Sequence, residues 1–126
     1  MLKEQAGIST EPPHETICKQ LEPGHCEIVR DVYETIRRSS LDQFTFPLID
    51  SLWSNLHVVL YELEHLPEAS FKDLIDAIIA LREARNELRL ARFLFDVAEI
   101  DPVRRLVLRN KAVLRGKSIL HEVLSV

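Results

Sequence analysis

The chain is poor in the residues that punctuate and staple small proteins. Of its 126 residues only 3 are glycine, 6 are proline and 2 are cysteine. So few turn formers argue against a β-sandwich. Two cysteines make no disulfide framework, so a hydrophobic core must do the folding, and a reduced, intracellular setting is the default. No stretch reaches the roughly 18 apolar residues that a bilayer span requires. The opening MLKEQAGISTEPP has no apolar h-region of a secretory signal. The expected location is the cytoplasm.

Basic charge is also short. The net charge is -4, which argues against a general nucleic-acid binder. The imbalance is uneven along the chain. Residues 1–70 carry 5 basic and 12 acidic side chains, whereas residues 101–126 carry 6 basic and 2 acidic. An acidic front and a basic tail are able to pair, within one chain or between chains.

What is present is apolar residue content of 46% beside 29% charged residues, the balance of a globular domain. A chain this long buries about two-thirds of its surface on folding, enough for one core. The apolar spacing is helical nearly throughout. The expectation is an all-α antiparallel helical bundle over residues 10–126, preceded by a flexible tail at 1–9. Two shorter N-terminal helices are predicted at 11–21 and 25–38, the first ended by Pro23-Gly24. Ser40 and Gln43 read as a capping box. Three long helices follow at about 47–66, 71–99 and 102–124. Ser70 is read as the N-cap of the second, and Asp101-Pro102 as the cap and first residue of the third.

The helix expected at 71–99 carries a heptad seam. Leu74, Ala77, Leu81, Ala84, Leu88, Ala91, Phe95 and Ala98 are spaced alternately 3 and 4 apart. Alanine at every second seam position lets a partner helix approach closely.

Four constellations have the residue types for binding or chemistry. His14, Cys18, His25 and Cys26 offer four soft ligands that a Pro-Gly turn brings together. That is the donor set of a tetrahedral zinc site, but it lacks both CxxC and HxxxH spacing. No metal is therefore assigned, and no cofactor. Glu62-Leu63-Glu64-His65 has the Glu-x-x-His spacing of di-iron bundles, without the second motif such a site needs.

Arg82, Arg85, Arg89 and Arg92 form a row on one helix face. Arginine suits bidentate recognition of carboxylate or phosphate, so the row is either a docking strip or the mate of the acidic first half. On the last helix, Val103, Leu106, Val107, Val113, Leu114, Leu120 and Leu124 are read as the core face. Asn110, Lys117 and His121 form a polar seam along it. The other side carries Leu108, Ala112, Ile119 and Val123, and a helix apolar on two sides is buried on two sides. That second face, with the arginine row, is the predicted partner-binding surface.

Two short matches carry no weight. Gly116-Lys117-Ser118 lacks the earlier glycine and the strand of a phosphate-binding loop. Arg37-Arg38-Ser39-Ser40 has the pattern of a basophilic kinase site, but capping accounts for Ser40.

The leading reading is a small protein–protein interaction module, an adaptor, regulator or assembly subunit, acting as a homodimer or on another protein and not on a membrane. The alternative is a nucleic-acid-associated helical protein using the arginine row and the basic last helix. A third is a metal-binding or minor enzymatic helical protein. No glycine-rich cofactor loop or nucleophile constellation supports an enzyme.

Overall fold

Helices account for almost all of the regular structure, and there is no strand among the described residues. The computed structural model describes residues 13–124; the expected tail at 1–9 lies outside them. The order is α1 (Pro13–Cys18), α2 (Pro23–Arg38), a 3₁₀ turn (Leu41–Gln43), α3 (Phe46–Glu64), α4 (Glu68–Asp73), α5 (Ile75–Phe93) and α6 (Pro102–Leu124). The all-α class follows from the helical spacing of the apolar residues.

Proline sets several boundaries. Pro23 and Gly24 stand inside the first turn of α2 rather than only ending α1. Proline fits there because the first-turn N–H groups have no intrahelical acceptor. The Glu62 carboxylate of α3 reaches across to accept the Glu22 amide at 3.0 Å and so caps α2 from a neighbouring helix. The Ser40–Gln43 capping box is formed. Asp101 Oδ1 accepts the amides of Val103 at 3.0 Å and Arg104 at 3.1 Å, as the Asp-Pro pair predicts.

The helix expected at 71–99 is shorter and interrupted. Helix already starts at Glu68, so Ser70 lies inside α4 and is not its cap. The backbone breaks at Leu74, with φ -110° and ψ 10°, before α5 begins. The far end tightens after Phe93 into i+3 bonds, with the Phe95 and Asp96 amides on the Arg92 and Phe93 carbonyls. Phe95 makes this turn to sit edge-on to Phe46, 5.4 Å between centroids, beneath the Arg109 guanidinium at 4.1 Å. An aromatic pair and a cation–π contact favour the turn over two further helical turns of exposed Asp96, Ala98 and Glu99.

The core runs through every helix except α4. Ile17, Val32, Ile36, Ile49, Leu60, Leu63, Ile78, Leu88, Leu120 and Leu124 are all enclosed. Seam residues Leu74, Leu81, Ala84, Leu88 and Ala91 are buried as predicted, whereas Ala98 is exposed beyond the end of α5. Helices α3 and α5 run in opposite senses, because Asp50 near the start of α3 meets Arg92 near the end of α5 while Glu64 meets Arg82. Helices α5 and α6 do the same: Arg105 donates to the Phe95 carbonyl, and Arg115 stands by Glu87.

Candidate functional site

The His/Cys cluster does not assemble as a four-ligand site. Cys18 and Cys26 are joined in a disulfide between α1 and α2, where reduced thiols were expected, so neither sulfur is free to ligate. The Pro-Gly turn does bring the two cysteines together. The histidines go elsewhere. His14 is buried, stacks on Tyr33 with centroids 4.0 Å apart, and places Nδ1 3.4 Å from the Leu124 carbonyl oxygen. His25 turns to Glu62, with Nδ1 2.5 Å from Oε1. No group of three or more potential metal ligands forms among the described residues. His65, the end of the Glu-x-x-His match, is exposed and bonded to the Tyr61 carbonyl.

The arginine row lies along α3 and is largely engaged there. Arg82 pairs with Glu64. Arg85 reaches His57 Nδ1 at 3.5 Å. Arg92 donates to Asp50 Oδ1 at 2.5 Å and packs its guanidinium 4.9 Å from the Trp53 ring centre. The acceptors Asp50, His57 and Glu64, with Trp53 between, are seven residues apart or fewer along one side of α3. That spacing was visible in the sequence, but nothing local linked it to the arginines eighteen or more residues away. Arg89 remains exposed beside a shallow groove of about 520 Å³ lined also by Phe46, Phe93, Asp96 and Glu99. Its mixture of two arginines and two acids favours no single charge of ligand.

The polar seam also acts structurally. Lys117 Nζ donates to the Ser39 carbonyl at 2.5 Å and lies 5.7 Å from the Phe44 ring centre, so it caps the C-terminus of α2. Asn110 and His121 are half-buried on either side of it.

Helix α6 is oriented differently from the expectation. Ala112 is fully enclosed, and Ile119 and Val123 pack against the core. Leu108 is half-buried. The face expected to be free is therefore mostly inside. The N-terminal part of the expected core face is outside: Val103 is 73% exposed, Leu106 46%, Val107 51% and Leu114 50%. Val113, Leu120 and Leu124 are buried as expected. The helix is turned so that Ala112 is enclosed and Gly116 faces α5. A β-carbon on Gly116 would meet Leu88 Cγ at 3.4 Å and the Ala84 carbonyl oxygen at 3.6 Å. Gly116 against Ala84 and Leu88 lets α6 approach α5 more closely than a larger residue allows.

The exposed row lies on the part of α6 that extends past the end of α2. Lys117 meets Ser39 just after α2 ends at Arg38, so the part of α6 before Lys117 extends past that helix. Val103, Val107 and Leu114 lie there, at i, i+4 and i+11 on one side.

No protein family, curated protein or solved structure matches this chain.

Proposed function

We propose that the chain is a small protein–protein interaction module that works through a helical surface, the outer side of α6 before Lys117. The observation that carries this reading is the row Val103, Leu106, Val107 and Leu114, all at least 46% exposed on a helix whose opposite side is committed to the core. Single exposed aliphatic residues are ordinary, but four gathered on three turns of one helix mark a surface that gains by being covered. The arginine row supports the reading less, since Arg82 and Arg92 are already paired within the chain.

The test is photo-cross-linking in the protein's native cells. A photoreactive residue at position 107 or 114 should give discrete cross-linked bands. One at exposed Lys72, on α4, should not. The same pattern from both faces, or none from either, would remove α6 as the working surface.

The nucleic-acid reading keeps one supporting observation: residues 102–121 carry six basic side chains and no acidic one. Its mark would be RNA or DNA binding that weakens steeply with salt. No binding at low salt would dispose of it.

A further inference from the structure

We propose that the partner of α6 is an acidic amphipathic helix on another protein, not a second copy of this chain. The inference rests on the reading of α6 as the working surface and adds the chemistry of what covers it. Arg104, Lys111 and Arg115, spaced 7 and 4 apart, run beside the apolar row Val103, Val107 and Leu114. Arg104 and Lys111 are exposed, and their side chains have no ion-pair partner among the described residues. Among the described residues Arg115 has only Glu87, at 3.9 Å. An apolar seam with a one-sided basic rim fits a helix whose own seam is rimmed by Asp or Glu.

Self-pairing through this face fits poorly. Two antiparallel copies of α6 would place basic rim against basic rim, and in a parallel pair residues 102–121 offer that rim no acid. A lipid surface also fits poorly, because interfacial helices anchor through Trp or Phe as well as Leu, and the exposed apolar residues of α6 are valine and leucine only. Single-stranded nucleic acid stacks on aromatic side chains, and α6 has no Phe, Tyr or Trp. The span from Val103 to Leu114 is about 16 Å, so three turns of partner helix cover it.

The full-length chain is titrated with two fluorescent synthetic helical peptides that share one leucine seam. One carries Glu at the flanking positions, the other Lys. The Glu peptide should bind about tenfold or more tightly than the Lys peptide, and its binding should weaken as salt rises. The double variant Arg104→Glu/Lys111→Glu should reverse the preference. Val107→Asp should abolish binding of the Glu peptide while circular dichroism stays unchanged, and the milder Val107→Ser should weaken it. Equal binding of the two peptides, lost in Val107→Asp, would overturn the acidic partner and leave α6 as an interface. So would a dimer seen by light scattering that Val107→Asp dissolves. Preference for phosphatidylserine vesicles or an oligonucleotide over the Glu peptide would overturn the inference in favour of that ligand. No effect of Val107→Asp on any binding would overturn both this inference and the reading beneath it.

Discussion

Gly116 of α6 faces Leu88 of α5 so closely that an added β-carbon would lie 3.4 Å from Leu88 Cγ. That is ordinary van der Waals contact, so alanine fits while a branched side chain does not. Gly116→Ala should stabilise the fold, because glycine inside a helix costs about 0.5–1 kcal/mol relative to alanine. The melting temperature should rise by about 2–5 °C. Gly116→Val should lower it, as its extra methyls meet Leu88 or the Ala84 carbonyl and overpacking costs about 1–3 kcal/mol. Thermal denaturation followed by circular dichroism reads both. A loss of stability in Gly116→Ala would mean the two helices cannot yield even slightly.

The orientation of α6 has its own test. Ala112 is 0% exposed and Leu114 50% exposed, two residues apart on one helix. Ala112→Asp should cost more than about 4 kcal/mol, since it buries an unpaired charge. Leu114→Asp should change stability by less than about 1 kcal/mol. Urea denaturation of both variants decides between the two faces. Comparable losses in the two would mean that α6 is buried on both sides.

The disulfide ties α1 to α2 across a sequence separation of 8. Closing a loop of that size stabilises by about 2.5 kcal/mol in the chain-entropy account. Ile17 and Leu21 of this region stay in the core after reduction only if α1 holds by packing alone. Reduction should therefore lower the denaturation midpoint and loosen α1 first. Hydrogen exchange with and without reductant should show faster exchange over 14–21, with α5 and α6 little changed. Free-thiol titration of the purified chain gives the oxidation state directly.

Glu34 should govern part of the acid response of α2. Its carboxyl is held below the ordinary glutamate value, first by the hydrogen bond from Arg37, then by that from Arg38. A lowered native pKa means the stabilisation is present above the unfolded-state pKa and is lost as pH falls through the native one. The pair is exposed on α2, so the effect is small. In an NMR titration the Glu34 carboxyl should titrate at higher pH in Arg37→Gln than in the native chain. An unchanged midpoint would show that the hydrogen bond does not persist in solution.

Local sequence carries the helix class and most helix starts. Capping by Asp101 and the Ser40–Gln43 box depends on residues within one turn, so it reads directly from spacing. The early end of α5 does not, because it is decided by Phe95 meeting Phe46 and Arg109, residues that are remote in sequence. The arginine row was visible, but its mates Asp50, His57 and Glu64 were not. The histidine and cysteine cluster looked like a ligand set because the four residues are close in sequence. The structure separates it, since His14 finds Tyr33 and Leu124 while His25 finds Glu62.

The sequence by itself determined that this chain is all-helical, that an alanine seam runs through 77–91, and that α6 carries more apolar residues than one face needs. Only the tertiary structure decided which side of α6 is buried. With apolar residues on both sides, periodicity has no single direction to give. The choice went to the side of Ala112 and Gly116, where Gly116 opposite Ala84 and Leu88 lets the helices close together. That orientation leaves Val103, Val107 and Leu114 on the outer side.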